Sequence, residues 1–253
     1  YNADGSYGWT RTFGGAGYDY RYGISIDSSG NVLTSGSFSG TVDFDATAGT
    51  DNHTSSGTDI FITKYNADGS YGWTRTLGGT STDISYGISK DSSNNVFATG
   101  RFSGTVDFDA TAGTDNRTSA GLSDIFITKY NADGSYGWTR AFGGTGDDYG
   151  YDVEVDNSGN IFATGNFYNT VDFDATAGTD SRTSNGYNDA FITKYNADGS
   201  YGWTRAFGNS NYGGGDRLSL DSSGNVFIIG MFLDTVNFDA TGGTDNHTPN
   251  GFA

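Results

Sequence analysis

The chain has 253 residues, among them 41 glycines, one proline and no cysteine, and a formal net charge of −17. Absence of cysteine excludes a disulfide framework, thiolate catalysis and cysteine-type zinc sites. The acidic balance lacks the basic footprint that nucleic acid or an anionic membrane surface needs, and no apolar run approaches the ~18 residues of a membrane span, so neither nucleic acid nor a bilayer is an expected partner.

In chain order, the opening phrase YNADGSYGWTR starts at Tyr1 and returns at Tyr65, Tyr130 and Tyr195. GTVDFDATAGTD starts at Gly40 and Gly104, followed by NTVDFDATAGTD at Asn169 and DTVNFDATGGTD at Asp234. Self-similarity at this period identifies a repeat architecture. No linker or composition shift separates the copies, so residues 1–253 read as a single array of repeats 1–64, 65–129, 130–194 and an incomplete 195–253. The first residue is not Met, no leader is visible, and both ends fall inside a repeat. That reads as a processed product or a segment of something longer.

Within the first copy the apolar period is two. Gly8–Phe13 alternates and ends at Gly14-Gly15. Tyr22–Asp27 alternates into the turn Ser28-Ser29-Gly30-Asn31. Val32–Phe38 forms a third strand that Thr41–Asp45 extends or follows after a bend. A polar loop, Ala46 to Thr58, leads to a fourth strand at Ile60–Tyr65. Asn66-Ala67-Asp68-Gly69 then turns the chain into the next Trp strand, a short hairpin signal. About four antiparallel strands per repeat with no helix predict an all-β β-propeller of four ~65-residue four-stranded repeats, either a closed four-bladed ring or part of a larger array.

The order FITKYNADGSYGWTRTFGG, YGISIDSSGNV and GTVDFD resembles the bacterial SBBP-type β-propeller repeat. That family shows a Lys-x-(Asn/Asp)-x-x-Gly turn, a Trp strand, a Gly-Gly loop and an Asp-x-x-Gly-Asn-Val turn. The resemblance covers essentially the whole chain, four times over. It implies blades of a propeller in a bacterial extracellular or cell-surface protein.

One strand type is short by one. FITK occurs only at Phe61–Lys64, Phe126–Lys129 and Phe191–Lys194. The unpaired edge this leaves is a template for another strand. Three sources are open: a trimmed end, the same polypeptide closing the ring, or a neighbouring subunit adding its strand by β-augmentation, which head-to-tail gives a filament.

Candidate chemistry is sparse. The two histidines, His53 and His247, share one repeat position in the polar loop, and the carboxylates recur in every copy, so an enzyme is not expected. Hard oxygen ligands for Ca2+ are offered by Asp43, Asp45 and Asp51, by Asp107, Asp109 and Asp115, by Asp172, Asp174 and Asp180, and by Asn237, Asp239 and Asp245. Turn capping, or pairing with Arg11, Arg75, Arg140 and Arg205, explains the same residues. Those arginines need a partner if buried, for which Asp27, Asp91, Asp156 and Asp221 or stacking on Trp are candidates. Asn52, Asn116 and Asn246 head Asn-x-Thr sequons, candidate glycosylation sites in exposed loops, while the third copy has Ser181 there. Tyrosines after the Gly-Gly loop vary between copies (Tyr18, Tyr20, Tyr22, Tyr86, Tyr149, Tyr151, Tyr212), as a sugar- or protein-binding rim would.

The resulting expectation is an extracellular structural scaffold or adhesive repeat protein, a filament subunit in its most specific form, that self-associates or meets other surface proteins and glycans. The alternative is a calcium-assisted carbohydrate- or protein-binding propeller module on a bacterial cell surface.

Overall fold

The computed structural model describes residues 1–251. Copy 1 supplies β1 (Tyr20–Ile26), β2 (Val32–Asp43) and β3 (Asn52–Tyr65), and the first strand of copy 2, β4 (Tyr71–Leu77), completes an antiparallel sheet in the order β1-β2-β3-β4. Each of the first three blades borrows its last strand from the following sequence repeat. The second blade is β5 (Ile84–Lys90), β6 (Val96–Phe102), β9 (Asp124–Tyr130) and β10 (Tyr136–Phe142), with the hairpin β7 (Thr105–Asp107) and β8 (Asn116–Thr118) between β6 and β9. The third is β11 (Tyr149–Val155), β12 (Ile161–Phe167), β15 (Asp189–Tyr195) and β16 (Tyr201–Phe207), with hairpin β13 (Thr170–Asp172) and β14 (Ser181–Thr183). The fourth contains, among the described residues, only β17 (Gly213–Leu220) and β18 (Val226–Phe232), followed by the hairpin β19 (Val236–Asn237) and β20 (Asn246–His247).

Strand β3 shows why the repeats stack. Ile60, Phe61 and Ile62 are all buried, so both faces of the strand are covered, as required between sheets packed face to face. The first strands β1, β5, β11 and β17 pack successively against one another. Phe38, Phe44 and Phe61 fill the outer part of blade 1, and the same trio recurs as Phe102, Phe108, Phe126 and as Phe167, Phe173, Phe191. At the two ends of the row the covering stops. Ile24 is 73% exposed while its equivalent Val153 is 0%, and Phe227 is 61% exposed while Phe97 is 1%.

The turns follow the expected chemistry. Gly69 takes φ +82 or close to it in every copy (+81 here), which only glycine adopts without strain. It donates to Asn66 O at 2.8 Å, and Asp68 Oδ1 accepts from Ser70 N at 2.9 Å. In the second Asp-Ser-Ser turn, Asn94 sits at φ +63 where the other copies have glycine.

Two expectations need correction. Gly8–Phe13 is not a strand, because no FITK-type strand lies beside it to complete a ladder. The polar loop is also shorter than 46–58: in copy 1, β2 runs to Asp43 and β3 begins at Asn52, while in copies 2 to 4 the same residues form separate two-stranded hairpins.

Candidate functional site

The acidic loop is built from the hairpin stem outward. Asp43 Oδ1 accepts from the backbone of Asp45 (3.1 Å) and Asp51 (2.8 Å), folding the loop onto its own stem. Asp45 Oδ1 accepts from the backbone (3.0 Å) and hydroxyl of Thr47. Asp51 takes the hydroxyl of Tyr71 and His53 Nε2 at 3.1 Å. The same bonds recur from Asp109 and Asp115 to Asp107, from Asp174 and Asp180 to Asp172, and from Asp239 and Asp245 to Asn237. Arg117 lies 2.8 Å from Asp115 and Arg182 lies 2.7 Å from Asp180. Among the described residues no three acidic or histidine side chains gather as a metal-holding group. Burial, with the Asp51 carboxylate beside it, pushes the Tyr71 phenol above its ordinary range, so this tyrosine stays a donor.

The repeated arginines act between copies. Arg75 Nε donates to Gly134 O at 2.7 Å and Arg140 Nε to Gly199 O at 2.8 Å, each beneath its own Trp ring at 5.4 and 5.1 Å. Arg11 makes the same bond to Gly69 O at 2.7 Å. None of these arginines forms an ion pair among the described residues; of the two candidate partners, the Trp rings are the ones they meet, and Asp27 and its equivalents are not. Asp27 instead holds its own turn, accepting from Ser29 and Asn31 at 2.9 Å, with Lys64 at 3.4 Å. Burial opposes its ionisation, but Asn31, Ser29 and Lys64 outweigh that and hold its carboxyl low.

A second set of carboxyls escaped the sequence reading. Asp59, Asp124 and Asp189 open the FITK strands, and Asp83 and Asp148 precede the next first strand; all are buried. Asp148 accepts from Gly144 N (2.7 Å) and Tyr168 N (2.8 Å), and Asp83 from Gly79 N and Ser103 N. One oxygen each of Asp59, Asp124 and Asp189 has no partner. Burial, reinforced by the Asp83 charge, raises Asp59 to about 6. Burial, with Asp124 and Asp147 nearby, raises Asp148 to about 6. The legible signal was the first glycine of each Gly-Gly loop: a side chain at Gly78 would come within 2.3 Å of Asp59 Cγ.

The variable tyrosines do converge. Tyr22, Tyr86 and Tyr151 form a row across three blades, with ring centroids 5.1 and 5.5 Å apart. The sequon residues Asn52, Asn116 and Asn246 are exposed, but they begin β3, β8 and β20 and so lie on strands, not in a loop.

The edge of β18 stands without the neighbour its counterparts have. In blades 1 to 3 the equivalent strand pairs with a FITK strand, whereas among the described residues β18 pairs only with β17. An apolar groove of about 280 Å³ runs along this edge, lined by Ile228, Gly230, Phe232, Val236 and Phe238 among others. Elsewhere a FITK phenylalanine fills this place: Phe44–Phe61, Phe108–Phe126 and Phe173–Phe191 centroids are 5.2, 5.2 and 5.1 Å apart. Phe238 has the corresponding partner of the second strand, Phe232 at 5.2 Å, and Phe207 at 6.3 Å, but among the described residues no FITK-type phenylalanine.

No family profile matches the chain. An uncharacterized WD repeat-containing protein of Acanthamoeba polyphaga mimivirus is 27% identical to it over 276 residues, covering 96% of this chain and 20% of the relative. The chain thus spans about one fifth of that protein's length. Side-by-side four-stranded antiparallel sheets together with this likeness make the chain an all-β repeat protein of the β-propeller type. The SBBP-type resemblance rests on the motifs quoted for it.

Proposed function

We propose that the chain is a structural scaffold of the extracellular or bacterial cell-surface kind, whose blades join end to end when the edge of β18 takes up a FITK-type strand. The groove beside β18 carries this reading. It has the backbone edge that β-augmentation uses and the apolar slot that Phe61, Phe126 and Phe191 fill in the complete blades. A strand from a neighbouring copy yields a head-to-tail stack, hence a filament or adhesive array; a strand from the same polypeptide completes the propeller. The exposed end faces at Ile24 and Phe227 support association along the same direction, because each is the counterpart of a face buried between blades. The exposed sequon residues are compatible with a surface setting.

A synthetic peptide matching residues 123–134 tests the proposal. It is expected to bind saturably and to raise the melting temperature, since a ligand of the native state stabilises by mass action. A peptide with Asp in place of Phe126 is expected to lose most of that effect. Absence of binding by the unmodified peptide, or equal binding by both, would sink the strand-acceptor reading.

A further inference from the structure

Copies 2 and 3 carry one residue that copy 1 lacks. Gly57 is followed directly by Thr58, whereas Leu122 stands between Gly121 and Ser123, and Tyr187 between Gly186 and Asn188. Leu122 is 67% and Tyr187 72% exposed, so neither insertion serves the core. Both border one cleft at the junction of the second and third blades, lined by Leu122, Gly146, Asp147, Tyr168, Gly186 and Tyr187. The other two non-glycine walls also break the repeat. Tyr168 stands where the other copies have Ser39, Ser103 and Leu233, and Asp147 where they have Tyr18, Thr82 and Tyr212.

The chemistry of the cleft is an aromatic wall beside a carboxylate. The Tyr168 and Tyr187 rings lie 6.1 Å apart at 66°. Burial, then the neighbouring phenols of Tyr212, Tyr149 and Tyr187 and the charge of Asp147, raise the Tyr168 phenol above its ordinary value, so it remains a neutral, electron-rich ring. Asp147 Oδ1 accepts from Ser123 Oγ at 2.7 Å, and its other oxygen has no hydrogen-bond partner among the described residues. The same tyrosine cluster already seats one guanidinium: Arg101 lies 4.9 Å from the Tyr149 ring and donates to its hydroxyl at 3.1 Å.

We propose that this cleft is a recognition site for a cationic side chain, a guanidinium in first place, presented by a basic segment of a protein partner. Aromatic faces attract cations through the ring quadrupole, and the free carboxylate oxygen supplies the opposite charge and an acceptor. The net charge of −17 draws a basic segment toward the surface. A neutral sugar would need several directed donors and acceptors, whereas the walls here are two rings, one leucine and two glycines around a single carboxylate.

The test is a titration of the intact chain with acetyl-Gly-Arg-Gly-amide, followed by NMR. The expected result is saturable shifts at Leu122, Tyr168 and Tyr187, with binding weakened at high salt. The peptide with citrulline in place of arginine is expected to bind at least about fivefold more weakly. Asp147→Asn, which keeps the acceptor for Ser123, and Tyr187→Ala, at an exposed side chain, are each expected to cost about fivefold in affinity while leaving the rest of the spectrum unchanged. Equal binding of the citrulline peptide, no saturable shifts at these residues, or saturation of the same resonances by a neutral oligosaccharide in place of the arginine peptide would overturn the assignment.

Discussion

Asp59 and Asp148 make the stability of the fold fall as the pH rises from mildly acidic to neutral. Both are held at about 6, against 3.8 for a free aspartate, chiefly by burial. A carboxyl whose folded value is raised binds its proton more tightly in the native state. The stability it contributes is full below about pH 4 and is lost as the pH rises through about 6. Each such group carries on the order of 2–3 kcal/mol of pH-dependent stability. The melting temperature is therefore expected to be higher at pH 5 than at pH 7, by several degrees, and to level off above pH 7. Asp59→Asn should reduce that slope, because one Asp59 oxygen has no partner and an amide is tolerated there. A melting temperature that does not fall between pH 5 and 7 would refute the assignment. In the sequence only the first glycine of each Gly-Gly loop bears on Asp59, and that glycine does not by itself single it out from the many other repeated aspartates. Its role depends on which strand end is buried against which Gly-Gly loop, and that is decided only when two blades meet. Asp43 and Asp51 show the converse. Their clustering in the loop was legible, but their engagement by backbone N–H groups and by Tyr71 was not.

At the level of elements, alternation identified the strands that have partners and overestimated the one that has none. Gly8–Phe13 carries the same pattern as Tyr71–Leu77, yet only the latter lies beside a FITK strand and forms a ladder. Side-chain pattern specifies which face a strand presents, while the strand itself requires a neighbour's hydrogen bonds. Trp9 and Arg11 nevertheless keep their contacts to the next copy, with Trp9 Nε1 donating to Ala67 O at 2.9 Å. The lock between consecutive copies is thus the turn glycine under the Trp-Arg pair and not the sheet alone. Gly134 shows how tight it is: its φ is +82, and a side chain there would approach Arg75 and the Trp73 ring to 2.9 Å. Gly134→Ala is expected to destabilise the fold by about 1–3 kcal/mol through backbone strain and displacement of Trp73, measured by urea unfolding. Gly40→Ala is an informative control: its φ is +78 but nothing lies near its Cβ, so strain alone should operate and the cost should be smaller. Equal costs at the two sites would show that the Trp-Arg contact contributes nothing.

At the scale of the molecule, repeat symmetry in the sequence is converted into asymmetry of burial. Phe97 and Phe227 occupy the same repeat position, yet one is packed between blades and the other faces solvent. The all-β blade architecture was legible because every copy repeats the same strand pattern, whereas the end faces were not, since identical residues acquire different environments only from their place in the row. The contrast can be measured. Phe97→Ala removes a ring from a filled core and should cost about 3–5 kcal/mol. Phe227→Ala removes a ring that already meets water and should change stability by less than about 0.5 kcal/mol. Both values come from chemical unfolding at low protein concentration, where association is weakest. At high concentration the two predictions separate further. If the Phe227 face docks on the Ile24 face of another copy, the wild-type chain gains stability with concentration, as any binding equilibrium of the native state requires, and Phe227→Ala loses that gain while Phe97→Ala retains it. A concentration-independent stability in the wild-type chain would leave Phe227 solvent-exposed in solution and would exclude joining of copies by the end faces and by strand uptake from a neighbour alike, so that only a strand from the same polypeptide could complete the blade of β18.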